Sequence, residues 1–257
     1  MRQDKAGSVE AQFPAGPPQG ELTPSGGSAV HAVASVGAFI FDMDGTMIDS
    51  MPYHAQSWVK FCRRHGIQID LPDLMRRTTG RTGAECMREL FQREVPETEA
   101  WALIHEKEAI YRELFSPLFA EVAGFKAFSE QAVAKGLKMG VGTAGDKHNI
   151  AFAFSHLKMR VTPHAVVGGD EGLPGKPEPA IFLEAAKRMD IRASGCIVFE
   201  DAPFGIEAAR RAGMRAVAVC SSHSAAELAG PHVLACVRDY NELMNSKFLE
   251  NLHVAIE

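Results

Sequence analysis

Five short apolar runs punctuate the chain: Val36–Phe41, Lys138–Thr143, His164–Val167, Gly195–Phe199 and Arg215–Cys220. None alternates apolar with polar in the manner of a half-exposed strand. Each is therefore predicted as a strand buried on both faces, as in a parallel sheet. Between them, apolar residues recur at helical spacing over Phe125–Lys135, Asp146–Leu157, Glu178–Met189 and Pro203–Ala212. Strand and helix in alternation predict an α/β fold with a doubly wound, Rossmann-like parallel sheet of about five strands.

The rhythm breaks once. Between Phe41 and Phe125 lie about eighty residues with no strand-like run. Trp58, Phe61 and Cys62 recur at helical spacing. Thr82 and Glu85 form a possible capping box before Cys86, Met87, Leu90 and Phe91, and Trp101, Ile104, Glu108 and Tyr111 mark a third helix. A connection this long is a structure of its own. The expected organisation is a Rossmann-like core over residues 35–50 and 120–257, with an inserted helical cap domain over 51–119. The insert is placed beside the strand ends, where α/β proteins bind ligands. Residues 1–34, as in Phe13-Pro14-Ala15-Gly16-Pro17-Pro18, are too poor in apolar surface to offset the entropy of ordering. They are predicted as a disordered tail.

Composition closes off alternatives. With 46% hydrophobic and 23% charged residues the chain has an ordinary globular make-up. No apolar run approaches the roughly 20 residues of a membrane helix. A net charge of -5 offers no reason to bind the phosphate backbone of nucleic acid. The five cysteines (Cys62, Cys86, Cys196, Cys220, Cys236) are odd in number and form no C-x-x-C pair. They are read as buried thiols in a reducing compartment. Charged Arg2, Asp4 and Lys5 open the chain with no apolar signal segment, so a cytoplasmic location is expected.

Chemistry concentrates at the predicted strand ends. Asp42-Met43-Asp44-Gly45-Thr46 follows the first run directly. At the carboxyl end of a strand both acids can turn toward one centre, with Gly45 allowing a sharp bend. Thr143 closes the second run, Lys176 sits between Gly175 and Pro177, and Glu200-Asp201 ends the fourth. Singly these are a turn, a strand hydroxyl and a surface amine. Jointly they put acids, a hydroxyl and an ammonium at one sheet edge.

In these four motifs, in order over Val36 to Cys220, the chain resembles the haloacid dehalogenase superfamily. The resemblance is to its phosphatase branch with a helical cap. Asp49-Ser50 and the following His54 are similar to the subgroup of β-phosphoglucomutase and sugar-phosphate phosphatases. The resemblance implies a Mg²⁺-dependent aspartyl-phosphate mechanism. Asp42 is then the nucleophile, and Asp44 is the acid for the leaving oxygen and the base for the hydrolytic water. Neighbouring acids are expected to disfavour the ionised form of Asp44. Thr143 and the Ala144 amide hold phosphate oxygens, and Lys176 stabilises charge. Asp42, the Asp44 carbonyl, Glu200 and Asp201 bind the metal. Charge arithmetic points the same way, since two unit charges at ~4 Å repel by about 4 kcal/mol at an effective dielectric of 20. Four clustered acids need a cation before phosphate can enter, and all-oxygen ligands favour Mg²⁺.

His54 and Arg81 are the candidate substrate contacts from the insert. Where the mutase loop carries lysine and arginine this chain has Thr79 and Gly83, which favours a phosphatase acting on a small phosphorylated metabolite, with a sugar phosphate first in line. Phosphomutase activity is the alternative. Phosphoglycolate and pyrophosphate also fit. A motif from another class competes: Gly140-Val141-Gly142-Thr143-Ala144-Gly145 matches a dinucleotide fingerprint, with Asp170 near the distance of a ribose-binding acid. An NAD-dependent oxidoreductase, however, leaves Asp42, Asp44, Lys176, Glu200 and Asp201 without a purpose.

Overall fold

The computed structural model describes residues 35–78 and 83–254. The predicted tail over 1–34, Thr79, Arg81 and the Thr82 of the capping box lie outside the described residues. Six strands form one parallel sheet: β1 Ala38–Phe41, β2 Lys138–Gly142, β3 Ala165–Val167, β4 Cys196–Glu200, β5 Arg215–Val219 and β6 Val233–Val237. Their order is β3-β2-β1-β4-β5-β6. The chain winds outward on one side of β1, then crosses to β4 on the other. This reversal beside β1 opens a crevice at the carboxyl ends of the strands.

The helices are α1 Met51–Arg64, α2 Leu71–Thr78, α3 Gly83–Phe91, α4 Glu97–Phe115, α5 Phe125–Ala134, α6 Lys147–Leu157, α7 Ala180–Arg188, α8 Pro203–Arg211, α9 Ala225–Leu228 and α10 Tyr240–Asn245. Four elements exceed the sequence expectation: β6, α2 and the short helices α9 and α10. β6 makes six strands where about five are predicted; as an edge strand it is half-exposed, with Leu234 turned to solvent. α2 is a further helix of the insert, too short for its periodicity to stand out.

Both faces of the central strands are buried, as continuous apolar runs demand. On one face Phe39 and Phe41 pack with Phe128 and Phe199; the Phe41 and Phe199 rings stack at 4.6 Å between centroids. Burying each such side chain contributes about 1.5–3 kcal/mol. The other face is built of small residues. A Cβ on Gly140 would lie 2.8 Å from the Met189 Cε, and one on Gly142 would lie 3.0 Å from the Phe182 ring. Close packing against α7 and the residue after it thus accounts for two of the three fingerprint glycines. Helices α1–α4 assemble an apolar cluster of their own, including Trp58, Phe61, Leu74, Met87 and Ile104. Among the described residues no helix is long and apolar enough to cross a membrane.

Candidate active site

Asp42 leaves β1 with its backbone N–H bonded to the Phe199 carbonyl at 3.0 Å, so its side chain emerges beside the end of β4. Lys176 comes from the loop after β3 and is fully enclosed. Its Nζ donates to Asp42 Oδ1 at 2.5 Å and to Glu200 Oε1 at 2.8 Å. Asp201 completes the centre: one carboxylate oxygen each from Asp42, Glu200 and Asp201 lie within 4.8 Å of one another. Thr46 Oγ1 donates to Asp201 Oδ1 at 3.3 Å, and the Ser222 hydroxyl also bonds Asp201.

Two glycines make this convergence possible. Gly45 has φ +79, and a Cβ there would lie 2.2 Å from Asp201 Oδ2. In α8, a Cβ on Gly205 would lie 1.7 Å from Glu200 Oε1. Both positions sit where a backbone must pass against a carboxylate.

Electrostatics at the centre are polarised. Burial pushes Asp42 up to about 8, against the pull of Lys176 and with reinforcement from Glu200 and Asp44. Asp201 is likewise raised, by burial first and then by Glu200 and Asp42. Burial opposes the charge on Lys176, yet Asp42 and Glu200 outweigh it and hold the ammonium above its ordinary range. Lys176 pairs with Asp42 and Glu200, yet the cluster of three acids still carries more carboxylates than this ammonium offsets. Carboxylate oxygens alone form the donor set that hard divalent cations take, so these residues fit a metal of that kind.

Asp44 departs from the sequence expectation. Its carboxylate turns away from the acid cluster toward the insert. There Oδ1 accepts from Ser50 Oγ at 2.7 Å, His54 Nε2 at 3.1 Å and Tyr111 OH at 3.2 Å. Burial alone would raise its pKa; His54, the Ser50 hydrogen bond and Lys107 outweigh this and lower it. The expected suppression of its ionised form is thus corrected, because donors surround Asp44 more closely than acids do.

His54 is held from both sides. Its ring stacks on Tyr111 at 3.8 Å between centroids, and its Nδ1 lies 2.7 Å from Lys107 Nζ. An ammonium only donates, so Nδ1 accepts and Nε2 carries the hydrogen toward Asp44. Lys107, 3% exposed, also pairs with Glu108 at 2.9 Å. Glu108 accepts from Asn149 Nδ2 at 2.7 Å, and Asn149 accepts from Arg112 at 2.6 Å. Thr143 is buried, and its hydroxyl oxygen accepts from the Gly145 N–H at 3.0 Å. Thr143 and Ala144 line the cavity of about 110 Å³ that Asp42, Asp44, His54 and Lys107 share.

The structure therefore brings Asp42, Thr143, Ala144, Lys176, Glu200 and Asp201 to one edge and sets Asp44 and His54 beside them. Arg81 lies outside the described residues. Sequence reading missed Lys107 and Asn149 and took Glu108 and Tyr111 only as helix markers. A signal existed: Ile104, Lys107, Glu108 and Tyr111 fall on one stripe of α4, and charge on a buried stripe needs a partner.

A doubly wound parallel sheet, with a carboxylate–lysine centre at the strand ends and helices α1–α4 bordering it, is the arrangement of an α/β enzyme. The chain belongs to the haloacid dehalogenase-like hydrolases, whose family model matches residues 39–219. It is 34% identical over 188 residues to the fructose-1-phosphate phosphatase YqaB of Escherichia coli, covering 70% of this chain and 94% of the relative. It is 31% identical to the β-phosphoglucomutase of Bacillus subtilis, covering 71% and 82%. The crystal structure of β-phosphoglucomutase from Clostridium difficile superposes with a TM-score of 0.73 at 26% identity, covering 84% of this chain and 96% of that one.

Proposed function

We propose that this protein is a Mg²⁺-dependent phosphoric monoester hydrolase that releases phosphate from a small phosphorylated metabolite through an aspartyl-phosphate on Asp42. The observation that carries the reading is the enclosed contact of Lys176 with Asp42 and Glu200, with Asp201 alongside. Phosphatase relatives support it, and helices α1–α4 fit the role of a cap over the site.

The Asp42 carboxylate attacks phosphorus while the bond to the leaving oxygen breaks. Lys176 orients Asp42 and offsets charge on the transferring group. Asp42, Glu200, Asp201 and the Asp44 carbonyl would hold Mg²⁺, which would supply positive charge to the phosphate oxygens. Asp44 is ionised in the free site, the state needed to deprotonate the water that cleaves the aspartyl-phosphate. An arriving phosphate dianion opposes its charge and favours the protonated form needed for the leaving oxygen. The N–H that His54 presents to Asp44 favours the ionised form once phosphate departs, with the proton leaving to solvent. The Thr143 hydroxyl hydrogen and the Ala144 amide serve the phosphate oxygens.

Asp42→Asn tests the reading. Phosphate release from p-nitrophenyl phosphate should fall below detection while the circular dichroism spectrum stays that of the parent; activity near the parent level overturns the assignment. Likeness to β-phosphoglucomutases favours one second reading, phosphomutase activity. With β-glucose 1-phosphate and a trace of the 1,6-bisphosphate, phosphate release should outrun formation of glucose 6-phosphate; the reverse order establishes the mutase.

A further inference from the structure

Two of the cysteines depart from the buried thiols that the sequence predicts. Cys62, Cys86 and Cys196 are buried, whereas Cys220 and Cys236 are half-exposed. These two belong to neighbouring chain segments, Cys220 one residue past β5 and Cys236 within β6. Cys236 is the register partner of Ala218, and Cys220 follows Ala218 by two residues. Side chains two apart on a strand share a face, so both thiols leave the same side of the sheet on a short diagonal. The Cys220 S–H donates to the Cys236 sulfur, and the Cys236 S–H donates to the Ala225 carbonyl at 4.0 Å. Two thiols in contact at a half-exposed sheet edge form a dithiol.

The residues after Cys220 give the pair its consequence. The Ser221 hydroxyl donates to the Gly45 carbonyl, in the turn that carries Asp44, and the Ser222 hydroxyl bonds the Asp201 carboxylate. Two residues of extended chain advance about 6.6 Å along strands about 4.8 Å apart, which sets a diagonal pair beyond the roughly 7 Å between Cα atoms that a disulfide spans. A bond between the two sulfurs therefore draws residue 220 toward β6. Ser221 and Ser222 are carried with it.

We infer that Cys220 and Cys236 are a site of reversible thiol oxidation by a hydroperoxide, and that their disulfide loosens the hold of Ser221 and Ser222 on Gly45 and Asp201. The consequence for phosphate release rests on the hydrolase reading. Burial raises both thiols: Cys220, with Cys236 adding to it, up to about 11, whereas at Cys236 the bond from Cys220 opposes the rise. Cys236 is thus the sulfur that reacts first. As a thiolate it attacks one peroxide oxygen and becomes a sulfenic acid; the O–O bond breaks, and the other oxygen leaves with the Cys236 proton as water. The Cys220 sulfur then attacks the Cys236 sulfur, the S–O bond breaks, and the departing hydroxide takes the Cys220 proton. Two thiols lose two electrons, and one hydrogen peroxide becomes two waters.

Hydrogen peroxide applied to the full chain, followed by alkylation and peptide mapping, should yield a linked peptide joining Cys220 to Cys236. Two of the five thiols should be lost to a chromogenic thiol reagent in denaturant, and dithiothreitol should restore both. In the oxidised protein the Mg²⁺ concentration that half-maximally raises Tm should increase by about fivefold or more. The Mg²⁺ requirement for release of phosphate from p-nitrophenyl phosphate should increase with it. Cys236→Ala should keep the reduced parent's Mg²⁺ dependence and lose its response to peroxide, and Cys220→Ser serves as an independent second variant. Five intact thiols after peroxide, or sulfinic acid at Cys236 with no linked peptide, overturns the site. A linked peptide with an unchanged Mg²⁺ midpoint overturns the coupling to Asp201, as does an equal shift in Cys236→Ala. If the reduced protein releases no phosphate, the hydrolase reading fails, while the linked peptide still decides whether the oxidation site exists.

Discussion

Asp44 shows how far a single residue's behaviour depends on neighbours remote in sequence. Its three donors come from the loop before α1, from α1 and from α4, and each favours the ionised carboxylate. Behind them, Lys107 and Glu108 form a largely buried pair next to each other on α4. Burial would raise the Glu108 carboxyl, but Lys107 and His54 outweigh it and hold it below its usual range. A carboxyl with a folded pKa below its unfolded one stabilises the protein above the unfolded value, about 4.3 for Glu. That contribution is lost as pH falls through the folded pKa. Glu108→Gln should therefore be less stable than the parent at pH 7 and converge on it as pH falls through the folded pKa of Glu108. Thermal unfolding followed across this range checks it; parallel Tm curves for the two proteins would refute the role of Glu108. Lys107→Met removes the donor that fixes the His54 ring, and kcat for phosphate release should fall by about tenfold or more. An unchanged kcat would separate His54 from the chemistry.

At the scale of elements, α8 carries a conflict between local and tertiary preference. Replacing glycine inside a helix by alanine ordinarily stabilises it by about 0.5–1 kcal/mol. Gly205 stands in the first turn of α8, where an added Cβ would overlap Glu200 Oε1. Glu200 cannot swing aside freely, because Lys176 holds Oε1 and the Ala202 N–H holds Oε2 at 2.7 Å. Gly205→Ala should thus lower Tm, contrary to helix propensity, and reduce phosphate release by at least about tenfold as Lys176 loses one of its two carboxylates. A variant with raised Tm and full activity would show that Glu200 is free to move.

Across the whole molecule, the acid cluster lies where β1 and β4 end and the site closes against helices α1 and α4. Burial first, and then the neighbouring acids, raise Asp42 and Asp201. A cation bound there in the folded state alone stabilises the fold, by about 2.7 kcal/mol at a hundredfold excess over Kd. Exhaustive treatment with EDTA should abolish phosphate release, and added Mg²⁺ should restore it and raise Tm by several degrees, on the order of 2–4 °C per kcal/mol for a chain of this size. Full activity after chelation would remove the metal from the mechanism.

The chain's own pattern determined the sheet. Two-sided apolar runs, interleaved with helical periods, are local signals and need no knowledge of neighbours; the half-exposed edge strand β6 and the short helices α2, α9 and α10 escaped them. The acids and Thr143 were legible for the same reason, since they end runs and in a parallel sheet all runs end at one edge; Lys176 was legible from its Gly175-Lys176-Pro177 setting in the loop that follows β3. What only the tertiary structure decided is which charges face one another. Periodicity put Ile104, Glu108 and Tyr111 on one stripe of α4, but not that Lys107 meets His54 or that Tyr111 reaches Asp44. Those pairings join residues separated by tens of positions, and electrostatic energy depends on distance and burial rather than on order along the chain.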